Sequence, residues 1–339
     1  MKNGLLLLFI TLFFTACAPK ISIKSLHSSQ LHNPNIRQLA VLNFKNDTIG
    51  QSSSVESLLS NLIIENKPYF TLVQRENLNL ILNEKKLNDS ALVEIDDLSN
   101  LRGLTEVKTF LLGDVIHSTM YQKVYYRTEK NYQQCLEYNK NKQCIRFPIV
   151  YTRCQTNDYS VQTQIKLVEI ITSDILFSQT YTESDSITYC SMNSNYFPSK
   201  QEHNAYLAQL IAQRILKDIA PHYVTFKVAL LEDLDIYTTK EVVQQFENAL
   251  ELLKQGRFDK AQGLLEDLNN KMHAESYVIL YNLALCYEAL NQIEHAHLLY
   301  QKAEDISLKK EIVEEISEAI VRTAKNIEEY KKANKLLNY

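Results

Sequence analysis

Gln38-Leu-Ala-Val-Leu-Asn-Phe44 is a short apolar run closed by the polar Lys45-Asn-Asp47. Such a run, stopped by a turn signal, reads as a buried strand. Ser52-Ser-Ser54 follows, and Ser53 and Glu56 have capping-box spacing, in which each side chain satisfies a free backbone N–H at a helix start. Val55, Leu58, Leu59, Leu62 and Ile63 then fall on one helical face, and Pro68 ends that helix. Tyr69-Phe-Thr-Leu-Val73 reads as a second strand and Arg75 to Leu82 as the opening of a second helix. Thr109-Phe-Leu-Leu-Gly-Asp-Val-Ile116 reads as a third strand at the centre of the sheet. Arg75 and Glu76 are no catalytic pair: adjacent residues point to different sides of a strand or a helix.

The order of these stretches carries a resemblance. Leu39–Phe44, an amphipathic helix, Tyr69–Leu87, Phe110–Ser118, Gln162–Ser178, a helix over 201–219 and Pro221 together resemble the family of the curli-secretion channel lipoprotein, the CsgG type. The most specific piece is Phe70-Thr-Leu-Val-Gln-Arg75-Glu-Asn-Leu78, with Leu80-Ile-Leu82 behind it. The match covers about residues 37–225. In the turn Thr172-Ser173-Asp174-Ile175, Ser173 stands where the family has glycine. The resemblance implies a three-layer α/β domain, a mixed sheet flanked by helices, held in the periplasm as a lipoprotein. Some relatives build oligomeric outer-membrane pores. Others, such as penicillin-binding-protein activator lipoproteins, bind a partner enzyme without forming a pore.

Cys135, Cys144, Cys154 and Cys190 lie in or beside an insertion spanning about 117–200. Exported cysteines meet an oxidising compartment, and an even number in one region suggests two disulfides. Four cysteines allow three pairings, and the sequence alone does not choose among them. The expected pairing is Cys135–Cys144 across a polar loop and Cys154–Cys190 between strands, each stabilising by roughly 2–4 kcal/mol. Neither a Cys-x2-Cys zinc pair nor a redox Cys-x-x-Cys occurs. In channel-forming relatives this region becomes membrane hairpins. Ile145, Phe147, Ile149 and Tyr151 do alternate with polar positions, but Tyr121–Lys130 carries charges without an apolar face and Ser178–Ser186 is nearly all polar. A lipid-facing Arg or Lys costs roughly 2–4 kcal/mol at mid-bilayer. The expectation is therefore a water-exposed, disulfide-pinned β-hairpin extension.

From about residue 236 Ala, Leu, Glu, Lys and Gln dominate. Ala249, Leu252, Gly256, Phe258, Ala261, Leu265 and Leu268 recur 35 residues later as Ala284, Tyr287, Asn291, Ile293, Ala296, Tyr300 and Ala303. That period is close to the tetratricopeptide (TPR) repeat. A third pair, Lys309–Ala324 with Ile327–Leu337, is degenerate and reads equally as a capping helix. Such arrays present a surface to peptides or neighbouring chains, so they imply a protein partner. Cys286 reads as a buried small hydrophobe.

At the amino terminus, Lys2 precedes an apolar stretch from Leu5 to Phe14 and then Thr15-Ala16-Cys17. This resembles a bacterial lipobox, with Phe14 for the usual leucine and Thr15 for alanine or serine. Residues 1–16 are then the signal peptide and Cys17 the lipidated residue. Each buried acyl methylene contributes about 0.8 kcal/mol, and more than one chain gives stable anchoring. Ala18 rather than Asp implies passage to the outer membrane, by the same analogy. Residues 17–35, polar with Ser, His, Asn and two prolines, read as the lipidated cysteine and a flexible tether.

Composition narrows the function. The net charge of -4 comes from mixed acids and bases with no basic tract, which argues against nucleic acid. The 6 glycines stand apart, so no phosphate-cradling loop forms and nucleotide binding is not expected. No His pair, nucleophile elbow or carboxylate pair supplies a metal site or catalysis. The expected architecture is a CsgG-like α/β domain over 36–230 and an all-α TPR-like domain over 236–339. The expected function is non-enzymatic and without cofactor. It is that of a periplasm-facing outer-membrane lipoprotein, held to the membrane by its lipid, which assists envelope assembly or secretion. Its helices bind other envelope proteins, and homo-oligomers form through the α/β domain. The alternatives are a secretion-pore subunit and a regulator of a cell-wall synthase.

Overall fold

The computed structural model describes residues 19–73, 107–190, 197–307 and 310–338. The signal, Cys17, the helix at Arg75–Leu82 and the second half of the Phe70–Leu78 motif lie outside the described residues.

The segment expected to be a flexible tether is structured instead. Lys20–His27 forms strand β1, burying Ile21, Ile23, Ser25 and Leu26. Lys-Ile-Ser-Ile-Lys-Ser alternates with the period of a strand, and this pattern prevails over polar composition. After a 3-10 turn, Pro34–Arg37, come β2 (Gln38–Val41) and α1 (Gln51–Ser60). The expected capping box fails: Ser53 and Glu56 lie inside α1. The cap is Asp47, whose carboxylate accepts from the backbone N–H groups of Ile49, Gln51 and Ser52 and from the Ser52 hydroxyl at 2.8–3.2 Å. Leu62 and Ile63 are not on the helix either. Ile63–Ile64 (β3) pairs with Lys67–Pro68 (β4) in a tight hairpin that turns on Glu65 and Asn66, both at positive φ.

β5 (Thr71–Leu72) and the long β6 (Thr109–Lys130) both run parallel to β2. Two short strands, β7 (Glu137–Tyr138) and β8 (Cys144–Arg146), pair with each other. β9 (Ile149–Glu169) runs antiparallel to β6, and β10 (Ile175–Cys190) antiparallel to β9. The order β10-β9-β6-β2-β5 puts β6 in the middle, with Phe110, Leu111, Val115, Ile165 and Leu167 fully buried. Gly113 lies under the Phe44 ring, where any Cβ would collide with the ring carbons, so the close approach requires glycine. α2 (Lys200–Ile219) does start on a capping box, Ser199 with Glu202. It packs beside α1 on one sheet face, where Thr163 donates to Gln51 and Gln51 to the Ala208 carbonyl, all three buried.

β11 (His222–Ala229) pairs with β1. Then follow α3 (Lys240–Lys254), α4 (Phe258–Lys271), α5 (Tyr277–Ala289), α6 (Ile293–Ile306) and α7 (Lys310–Leu337). Two compact units result, and their boundaries differ from those expected. One holds β1 and the chain from Tyr223 to Lys335; the other holds Ser29–His222 with the last residues from Leu336. The reason is apolar: Ile21, Ile23, Val228 and Leu230 belong to one buried cluster with Phe246, Leu265 and Ile279 of the helices. The possible third helix pair is one continuous helix of 28 residues.

Candidate functional site

Past His117, β6 leaves β2 behind and travels with β9 and β10 alone. At about 3.4 Å per residue the stretch from His117 to Lys130 reaches roughly 45 Å. Its base is fixed to α2. The Tyr159 hydroxyl donates to the Pro198 carbonyl at 2.7 Å, and its ring lies 4.2 Å from that of His203. His203 Nε2 in turn is 2.9 Å from Asp185 on β10. The Tyr181 hydroxyl donates to Asp218 at 2.7 Å; burial and that carboxylate both push its ionisation well above the ordinary phenol range. Arg214 lies over the Tyr181 ring and pairs with Glu183 at 2.6 Å.

Two disulfides pin the extension. Cys154–Cys190 joins directly opposed residues of β9 and β10, and Cys135–Cys144 closes the loop that carries β7 and β8. Strand register assigns the faces. Tyr121, Lys123, Tyr125, Arg127 and Glu129 share one face with Asp158; Val124, Tyr126 and Lys130 share the other with Tyr151 and Arg153. Charge therefore sits on both faces.

The helical unit repeats atom by atom at its turns. Gly256 and Asn291, 35 apart, both have positive φ (72° and 63°). The backbone bonds Arg257 N–Leu252 O and Gln292 N–Tyr287 O are equivalent, at 2.9 and 2.8 Å. So are Ala261 N–Arg257 O and Ala296 N–Gln292 O. Ala249, Ala261, Ala284, Ala296, Tyr300 and Ala303 are all fully buried. Tyr287 is half-buried and donates to Glu266 at 2.6 Å. Burial, with Glu266 nearby, pushes the free Cys286 thiol up to about 12, which leaves it an inert thiol.

Sequence reasoning missed Glu288. It is 1% exposed, receives both Nε and Nη2 of Arg322 at 3.0 and 2.9 Å, and accepts from the Tyr300 hydroxyl at 2.9 Å. Burial opposes the charge on Arg322, but its bonds to Glu288 outweigh this and hold the guanidinium ionised. Burial and Glu288 likewise keep Tyr300 protonated. Glu288 and Arg322 lie 34 residues apart, so no local pattern joins them. In the same unit a cleft of about 420 Å³ is lined by Ile293, His295, Ile327, Tyr330 and Lys331 among others. Among the described residues no three His, Cys, Asp or Glu side chains gather as a metal site, and no helix is long and apolar enough to cross a membrane.

A mixed sheet with flanking helices, prolonged into an antiparallel extension and followed by helical repeats, is the class of protein that this fold defines. A family model described as "Curli production assembly/transport component CsgG" matches residues 16–197. The chain belongs to the CsgG family. No curated protein matches the sequence. Among solved structures, lipoprotein GNA1162 from Neisseria meningitidis is 13% identical, over 52% of this chain and 96% of that one, with a TM-score of 0.26. The PelC dodecamer from Paraburkholderia phytofirmans is 11% identical, over 59% and 96%, with a TM-score of 0.23.

Proposed function

We propose that this chain is an outer-membrane lipoprotein, anchored through Cys17 and facing the periplasm, that serves as a scaffold in envelope assembly or secretion. It performs no catalysis. Its repeats bind other envelope proteins and its α/β body associates with further copies. The family match supports an assembly role. The observation that carries a scaffold over a pore subunit is the charge on the extension. Lys123, Arg127 and Glu129 on one face, and Lys130 and Arg153 on the other, leave no apolar band of membrane height. Each Arg or Lys turned to lipid at mid-bilayer costs about 2–4 kcal/mol.

The pore reading draws on one feature, the length of β6 and β9, 22 and 21 residues, which is ample for a transmembrane hairpin. Planar-bilayer recording of the detergent-extracted protein separates the two. The scaffold reading expects no stepwise conductance above that of detergent alone. Discrete, reproducible channels, with open rings in electron micrographs of the same sample, would establish the pore instead.

A further inference from the structure

The far end of the extension differs in charge and in polarity from the rest of the chain. Residues 121–153 hold seven Lys or Arg against two acids, a surplus of five positive charges in a chain of net charge -4. Both acids are already paired, Glu129 with Arg127 and Glu137 with Arg146. Lys130, Lys140, Lys142 and Arg153 have no acidic partner among the described residues. Beside them Leu136, Ile145 and Ile149 are 57%, 57% and 59% exposed, and Tyr132, Tyr138 and Tyr151 are exposed further still.

This tip is a built object. The Asn139 side chain accepts from the backbone N–H groups of Asn141 and Gln143, the Asn139 N–H donates to the Gln143 carbonyl, and Lys142 takes positive φ. The turn holds Lys140 and Lys142 at the end of β7 and β8, while Cys135–Cys144 locks the loop behind it. Leu136 is held against β8 by a 2.8 Å bond from its N–H to the Arg146 carbonyl. Rigid exposed aliphatic groups ringed by lysines cost solubility unless something covers them.

We propose that this tip docks peripherally on an anionic lipid surface, its lysines meeting phosphate headgroups and Leu136, Ile145 and Ile149 entering the acyl boundary. Three features favour lipid over a soluble anionic polymer. Aliphatic side chains gain more by leaving water for hydrocarbon than by partial contact with a hydrated anionic polymer. Tyrosines sit at ease at the headgroup level. Lysines interleaved with apolar groups form the usual interfacial pairing of charge and hydrophobic surface. The paired charges nearer the base prevent the strands from following the tip inward. This contact is separate from the lipid on Cys17 and would persist without it.

The test uses the mature chain with Cys17→Ser, oxidised, and vesicles of phosphatidylcholine with or without phosphatidylglycerol. The expected result is sedimentation with the anionic vesicles only, lost at high salt. Lys140→Gln/Lys142→Gln should weaken binding about thirty-fold, at roughly 1 kcal/mol per lysine. Leu136→Ser/Ile145→Ser should weaken it at low salt although Lys140 and Lys142 are intact. The chain has no Trp, so Ile145→Trp supplies the only indole. Its emission should shift to the blue on binding and be quenched by lipids brominated near the headgroup. No binding to anionic vesicles, or equal binding by the Lys140→Gln/Lys142→Gln variant, overturns the proposal. So does quenching deepest at mid-bilayer, which marks spanning strands, or binding to soluble acidic polysaccharide in preference to vesicles.

Discussion

Glu288 and Arg322 decide how the helical repeats hold their final helix. A buried carboxylate is costly unless its oxygens are occupied, and here three donors from Arg322 and Tyr300 occupy them. The Arg322 guanidinium also stands 5.3 Å over the Phe226 ring, so one side chain joins α5, α6 and α7 to β11. Removing one partner strands the other charge. Glu288→Ala should destabilise the helical unit by about 3–5 kcal/mol in urea unfolding, and the double replacement Glu288→Met/Arg322→Met by clearly less. An equal or larger loss in the double variant would show that packing, not charge, governs the site. Ser173 carries a second residue-scale lesson. Its backbone takes φ at 61°, the left-handed conformation that suits glycine. The Thr172 hydroxyl, bonded to Glu169 and accepting from the Asp174 N–H, holds that turn.

Elements were legible where periodicity was strong and illegible where a single cap or alternation governed. β2, β5 and the central β6 follow from apolar runs, and both repeated helix pairs from their 35-residue period. The disulfide-bearing extension was legible as charged strands without an apolar face. Three features of two elements escaped. β1 was hidden by Ser and Lys in its exposed register, the end of α1 by hydrophobic residues that continue past it, and its start by a capping box that competes with Asp47. Asp47 makes this testable. Burial tends to raise its carboxyl, but the bonds from Ser52, Gln51 and Ile49 prevail and hold it below the ordinary aspartate range. A carboxylate depressed in the fold contributes stability above its unfolded value, and that stability disappears as pH falls through the folded value. Asp47→Ala should therefore cost about 1–2 kcal/mol near pH 7 and progressively less below about pH 4, read as the gap in thermal midpoint from the native chain. A gap independent of pH would assign the loss to packing.

At the scale of the whole molecule, three devices answer three needs. The repeats pack helices around buried alanines and tyrosines, the α/β body carries the family fold, and the extension carries a disulfide-stapled basic tip. The unit boundary was misplaced by sequence because a strand's partner is set by buried area, and β1 and β11 find that area among helices more than 200 residues from β1. The proposed role needs this body held at a membrane by acyl chains on Cys17. Growing cells fed radiolabelled palmitate test that most directly. The native chain should take up the label and stay with membranes through a high-salt wash, whereas Cys17→Ser should take up none and wash free. An unlabelled native chain, or a Cys17→Ser chain that resists the same wash, would contradict the account.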